Sequence, residues 1–282
     1  LTIQLDDASW SPGKIPYVRR CVIQRGGPGF SAFRSPPHHG KFVWILRALL
    51  YSGLGDTVAM KNKLHPYLAE FLGTLGLVIS ATSAGTLASL GYSITPIADG
   101  LFSGVAVLLM ILLFGPASGA HINPAVSVAM VRAGKLPKAQ LPGYLIAQFA
   151  GAVLASVVMR QIFAEASSIG AHQPGSLGLI GSLWMEVLLT AILVGVIFWI
   201  IDQDWAKGPI PAVVIGLTVT AEVALAGSLS GASMNPARSF GPALVSGDLS
   251  VLWIYFAGPL AGGLVAVTLC RLLRPGPCCQ TC

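Results

Sequence analysis

Six long apolar runs divide the chain, at about 67–90, 97–115, 140–161, 178–200, 209–228 and 250–273. Each comes close to the ~20 residues that a helix needs to cross the hydrocarbon core of a bilayer. Six spans put both termini on the same side. Two shorter apolar stretches, 124–132 and 236–246, each begin just after an Asn and a Pro. They are about half the length of a span, and the pattern predicts short helices there. The expected fold is therefore an all-α membrane protein with six spanning helices and two re-entrant half-helices.

The two half-helices share their lead-in. Ser118-Gly119-Ala120-His121-Ile122-Asn123-Pro124-Ala125 matches Ser230-Gly231-Ala232-Ser233-Met234-Asn235-Pro236-Ala237, at an offset of 112. Asn is a strong N-cap, and Pro suits the first helical position because its missing N–H is not needed there. Glu70 and Glu186 stand in matching contexts at an offset of 116, and Gly151 and Gly262 at 111. Agreement of three offsets argues for duplication. An odd number of spans per half makes the copies enter the membrane in opposite directions, an inverted repeat with its functional elements near the midplane. Irregular backbone at that depth is tolerated only where it is buried in protein or lines a polar cavity, and two half-helices abutting at their N-termini meet that condition. Gly73, Gly76, Gly151, Gly195, Gly216, Gly262 and Gly263 are expected at close helix contacts.

Composition agrees with the pattern. The chain is 54% hydrophobic and 10% charged, against roughly 25% charged residues in soluble domains. The net charge of +6 follows the topology. Fifteen of the seventeen Lys and Arg residues fall before the first span, between spans two and three or four and five, or at the end of the sixth; Arg160 and Arg238 are left for the other side. Basic residues concentrate in cytoplasmic loops, so both termini are expected in the cytoplasm. A nucleic-acid partner is not expected. The five cysteines, at 21, 270, 278, 279 and 282, fall on the predicted cytoplasmic side, where reduced thiols are the default. Acylation of the 275–282 Cys-rich tail is the alternative to free thiols there.

Residues 1–65 read as a cytoplasmic extension before a channel domain at 66–274, with repeats at about 66–161 and 178–274. Residues 1–20 have no apolar core of the signal-peptide kind. The stretch between Asp7 and Asp56 holds seven basic residues and no acidic one, which fits a disordered tail or a transit peptide; the tail is the favoured reading.

From about Tyr67 to Arg274 the chain resembles the aquaporin, or major intrinsic protein, family, water-type or small-solute branch, on the strength of the paired boxes Asn123-Pro124-Ala125 and Asn235-Pro236-Ala237. The resemblance implies a passive channel for water and small neutral solutes such as glycerol, urea or ammonia. It also implies homotetramers in a lipid bilayer, more in keeping with the plasma membrane than an internal one. Half-helix dipoles that repel protons and cations belong to such pores, each N-terminus carrying roughly half a positive charge. Glu70 and Glu186 take a loop-bracing role by the same resemblance, with a proton relay as the sharper alternative. His121 is open between a pore-facing donor and a loop brace.

The family's outer constriction maps onto Ser103, Val223, Ala232 and Arg238. Strict water channels usually carry an aromatic and a His at the two span positions, so this set implies a wider opening. Ser239, followed by Phe240-Gly241-Pro242-Ala243, instead resembles the water-type branch. A slip of one residue onto Phe102 would restore an aromatic lid and a strict water channel.

Rival classes are a coupled secondary transporter, which also uses inverted repeats and broken helices, and a non-conducting adhesion protein on the same fold. A transporter would need a midplane ion or proton site, and no ionisable group is expected in the spans beyond Glu70 and Glu186. No cofactor, metal site or catalytic residue is expected, and no enzyme activity.

Overall fold

The structure, a computed structural model, describes residues 65–273, so the expected N-terminal extension and the Cys-rich tail lie outside the described residues. Within them the elements are α1 (Pro66–Ser89), α2 (Pro96–Ser118), α3 (Pro124–Arg132), a single 3-10 turn (Lys138–Gln140), α4 (Leu141–Ile162), α5 (Gly178–Ile201), α6 (Ile210–Ser230), α7 (Pro236–Ser246) and α8 (Ile254–Leu273). Among the described residues six helices are long and apolar enough to cross a membrane: α1, α2, α4 with its leading turn, α5, α6 and α8. Together they make an integral multi-pass membrane protein. The half-helices have the bounds expected from the sequence. The sixth span begins at Ile254, because residues 251–253 form turns closed by bonds such as Ile254 N–H to the Val251 carbonyl (3.1 Å).

Helix starts follow local chemistry. Pro66, Pro96, Pro124 and Pro236 each open a helix. His65, Thr95, Asn123 and Asn235 cap those helices, their side chains accepting from backbone N–H groups of the first turn. Such a cap contributes ~1 kcal/mol. Gly119 ends α2 with φ 85° and Gly231 ends α6 with φ 96°. Both are left-handed conformations that a Cβ would strain, and each turns the chain back toward the centre of the bundle.

Packing repeats in the two halves. α1 packs on α4 as α5 packs on α8, α1 on α2 as α5 on α6, and α2 meets α6 between the halves. Each half-helix leans on the third span of the opposite repeat, α3 on α8 and α7 on α4. Glycines permit the closest approaches. A Cβ at Gly151 would strike the Phe71 carbonyl, one at Gly262 the Val187 carbonyl, and one at Gly216 would lie 2.7 Å from the Gly104 carbonyl. Gly73, Gly76 and Gly263 also face near neighbours, but Gly195 does not, having nothing within 4 Å of an added Cβ. A glycine in a spanning sequence does not by itself reveal which face of the helix is covered. Leu109, Leu113, Ile146 and Leu225 are among the large apolar side chains left on the outside, as a lipid-facing surface requires.

Candidate pore

Each half-helix is reached by a loop whose backbone is strained in the same way. Ala120 and Ile122 have φ of 44°, and their counterparts Ala232 and Met234 have φ of 48° and 55°. Left-handed conformations cost such residues of order 1–3 kcal/mol each. The opposing term is a buried glutamate behind each loop. Glu70 Oε1 accepts from the His121 N–H (2.9 Å) and the Ser118 hydroxyl (2.6 Å), while Oε2 accepts from the Ile122 N–H (2.6 Å) and Gln148 Nε2 (2.8 Å). Glu186 accepts from the N–H groups of Ser233 (2.9 Å) and Met234 (2.8 Å) and from the Ser230 hydroxyl (3.2 Å). Hydrogen bonds to a charged group contribute ~1.5–3 kcal/mol each, so three or four are of the size that offsets the strain of two left-handed residues. The same bonds satisfy the loop N–H groups and leave carbonyls free to face the other way.

The Tyr144 hydroxyl donates to the Ser118 carbonyl (2.7 Å) and the Tyr255 hydroxyl to the Ser230 carbonyl (2.8 Å). This pair was not among the residues singled out from the sequence. Its offset of 111, equal to that of Gly151 and Gly262, was the available signal.

The two loops meet at their asparagines. Asn123 Nδ2 donates to the Met234 carbonyl (2.8 Å), and Asn235 Nδ2 donates to the Ile122 carbonyl (2.9 Å). Each Oδ1 caps its own helix, from Ala125 N–H (2.9 Å) in one case and from Ala237 (3.0 Å) and Arg238 (3.3 Å) N–H in the other. An amide nitrogen carries two hydrogens. One is therefore committed to the opposite loop, and one is left for a molecule in the lumen.

A cavity of about 370 Å³ runs past this junction. Asp99, Gly170, His172 and Gln173 line it toward the 163–177 connection, and Ile201 and Pro211 toward the 202–209 connection. In between, its wall includes Val107, Val126, Leu193 and Val219 and the loop residues 119–123 and 231–235. Ser103, Val223, Ala232 and Arg238 all stand on that wall. Phe102 does not line the cavity; its carbonyl accepts from the Ser80 hydroxyl (2.6 Å). His121 belongs to the wall, yet its Nδ1 lies 3.2 Å from the Ser127 hydroxyl and its ring 5.1 Å from Tyr144. Its Nε2 is buried with no protein partner, so the residue faces both ways.

Arg238 is held in place by the backbone. Its Nη1 donates to the Gly170 carbonyl (2.6 Å) and its Nη2 to the Ala81 carbonyl (3.0 Å). Nη1 also lies 3.5 Å from His172 Nδ1, which is 2.8 Å from the Ser239 hydroxyl. Arginine can only donate, so His172 presents Nδ1 as an acceptor. Burial first, and then the neighbouring Arg238 charge, hold its pKa well below the usual 6.5, which keeps the ring neutral. Neither Gly170 nor His172 stood out in the sequence, since both sit in a connection outside the duplicated segments.

Two acidic residues in the spans go beyond the expected Glu70 and Glu186. Asp99 lies in the first turn of α2 and lines the cavity. Glu222, in α6, is 6% exposed, and both its carboxyl oxygens lack a hydrogen bond among the described residues. It precedes Val223 but is off the cavity wall. Both residues fall in apolar runs whose average masks a single acid. Neither places a charged group on the lumen at the asparagine junction.

The profile of the family described as Major intrinsic protein matches residues 57–269. Aquaporin NIP1-1 of Zea mays is 39% identical over 211 residues, covering 73% of this chain and 74% of that one. Aquaporin NIP3-1 of Arabidopsis thaliana is 36% identical over 233 residues, with 79% and 72% covered. Among solved structures, the X-ray structure of the aquaglyceroporin from Plasmodium falciparum shares the fold, with a TM-score of 0.67 at 24% identity over 74% of this chain and 96% of that one.

Proposed function

The chain belongs to the major intrinsic protein family, and from that premise we propose that it is a passive channel for water and small neutral solutes such as glycerol, urea or ammonia. The observation that carries this reading is the lumen itself: a continuous cavity walled by Ser103, Val223, Ala232 and Arg238 toward one end, passing two capped half-helix N-termini at its centre.

Selectivity follows from the lining. At the Arg238 end, three small side chains share the wall with one fixed guanidinium and the His172 ring beside it, so the three residues themselves leave room for a solute wider than water. Arg238 keeps N–H groups beyond those bound to Gly170 and Ala81, and these replace part of the hydration shell of an entering oxygen. Further along, the apolar side chains of Val107, Val126, Leu193 and Val219 offer no hydrogen bonds. A solute crossing them depends on the loop carbonyls and on the free hydrogens of Asn123 and Asn235. Roughly half a positive charge at each abutting N-terminus orients lone pairs inward and repels cations and hydronium there.

In this reading Ser103, not Phe102, belongs to the constriction, because Ser103 is on the cavity wall and Phe102 is not. A strict water channel is correspondingly less well supported. Glu70 and Glu186 brace the loops, since their oxygens are occupied by loop donors. The charge asymmetry of the loops supports a topology with both termini in the cytoplasm and the Arg238 end on the opposite side; the plasma membrane, in preference to an internal one, is carried over from the family resemblance. Assembly as homotetramers, each subunit with its own pore, is carried over from the family resemblance.

Proteoliposomes given an osmotic step in stopped flow test the class. A channel accelerates shrinkage without any ion gradient; a coupled transporter or an adhesion protein leaves the rate near that of lipid alone.

A further inference from the structure

Asp99 sits where the channel mechanism described above does not call for a carboxylate. It lies four residues before Ser103 on α2, one helical turn or ~6 Å further toward the mouth. It is half-buried, and its side chain faces the lumen alongside Gly227, where an added Cβ would come 3.8 Å from Asp99 Oδ2. Arg238 stands on the wall of the same cavity, and its charge acts on the Asp99 carboxylate. The ion pair within 4.0 Å among the described residues is Lys135–Asp202, so Asp99 and Arg238 are not in contact. Arg238 is anchored to the Gly170 and Ala81 carbonyls instead. The Asp99 carboxylate accepts no protein hydrogen bond among the described residues; its helix is capped by Thr95, whose hydroxyl accepts from the Ala98 N–H (3.2 Å).

We propose that Asp99 is a specificity-determining residue of the pore. It forms with Arg238 a separated acceptor–donor pair that favours small neutral amides over water. The inference rests on the channel reading. An ionised carboxylate offers acceptor sites only, and a guanidinium donors only. A molecule carrying a carbonyl at one end and N–H groups at the other exchanges its water for both at once. Water also bridges such a pair, with one O–H and its oxygen, but an amide holds its carbonyl and its N–H groups at opposite ends and reaches both side chains across a wider gap than one water can. A carboxylate in the first turn of α2 also favours the start of that helix, but this effect does not depend on the side chain facing the lumen. It would act equally on every permeant.

The experiment measures urea uptake and osmotic water flux in the same proteoliposomes for the parent, Asp99→Ala, Asp99→Asn and Asp99→Glu, normalised to reconstituted protein. Losing a hydrogen bond to a charged group corresponds to a change of about tenfold. Asp99→Ala is therefore expected to lower the urea-to-water ratio by up to about that factor. Asp99→Asn, which keeps an acceptor but loses the charge, is expected to fall between Ala and the parent, and Asp99→Glu to recover most of the ratio. Water flux read in the same vesicles is the reference against which each urea rate is set. An unchanged ratio in Asp99→Ala and Asp99→Asn with water flux intact overturns this inference alone. Equal losses of water and urea overturn it in favour of a structural role. A parent that conducts neither overturns the channel reading as well.

Discussion

Asn123 and Met234 are joined by a 2.8 Å hydrogen bond between residues 111 positions apart, from the Asn123 side-chain N–H to the Met234 carbonyl. The reciprocal bond runs from Asn235 to the Ile122 carbonyl (2.9 Å). Each box therefore does two things at once: its Oδ1 caps its own half-helix, and its Nδ2 fastens the opposite loop. Substitution of Asn123 by Asp keeps the cap but turns a donor into an acceptor facing a carbonyl. A buried partner left unsatisfied costs ~1–3 kcal/mol. Asn123→Asp is expected to lower thermal stability in detergent and to cut water permeability, whereas Leu109→Ala, on the lipid-facing side at 46% exposure, should leave permeability unchanged. Parent-level flux through a properly inserted Asn123→Asp protein contradicts the junction's role.

Glu186→Gln replaces one of two acceptor oxygens with an NH2 group. The loop N–H groups of Ser233 and Met234 each use a different oxygen of that carboxylate, so one of them must lose its partner. The strained φ values of Ala232 and Met234 then lack part of their compensation. A drop in melting temperature is expected, from the loss of one charged hydrogen bond at ~1.5–3 kcal/mol. A melting temperature equal to the parent's shows that the loops hold their shape without the glutamates.

Ala232 lies on the cavity wall at 3% exposure, beside the anchored Arg238. Ala232→Cys should make water flux sensitive to mercurials, because an adduct there occupies the lumen, and a reducing thiol should reverse it. Cys270 is not on the cavity wall, so its removal should not alter that response. An Ala232→Cys protein that reacts fully with mercury and still conducts contradicts the assigned lining.

His172 gives a pH prediction with a definite sign. Its pKa is held well below 6.5 by burial and by Arg238. Above pH ~6.5 both folded and unfolded chains carry it neutral, and it adds no pH dependence. Below that, the unfolded chain takes up a proton that the folded one refuses, and stability falls by up to ~1.4 kcal/mol per pH unit. The melting temperature should therefore decline from pH 6.5 to 5, less steeply in His172→Gln. Identical slopes show that His172 titrates normally in the folded protein.

Much of this was legible because the sequence is duplicated. The half-helices and the six spans follow from Asn-Pro capping chemistry and span length, while Ser103, Val223, Ala232 and Arg238, all on the cavity wall, are reached through the family resemblance. What escaped had a physical reason. Gly170 and Ala81 hold Arg238 through backbone carbonyls, which every residue has, so no side-chain pattern marks them. His172 lies in a connection without a counterpart in the other repeat. Asp99 and Glu222 are legible as acids inside the 97–115 and 209–228 runs, but neither has a counterpart in the other repeat to mark it. Gly195 shows the converse: small size in a span is compatible with an open face, and only the neighbouring helix decides.

The central claim is a pore wider than water, with Ser103, Val223 and Ala232 leaving Arg238 as the large group at the constriction. Glycerol uptake and water flux measured together in proteoliposomes, for the parent and for Ser103→Phe combined with Val223→His, test it most directly. The account predicts glycerol uptake above that of empty vesicles in the parent, lost in the double variant while water flux persists. Water flux in the parent with glycerol uptake no greater than through lipid would contradict it.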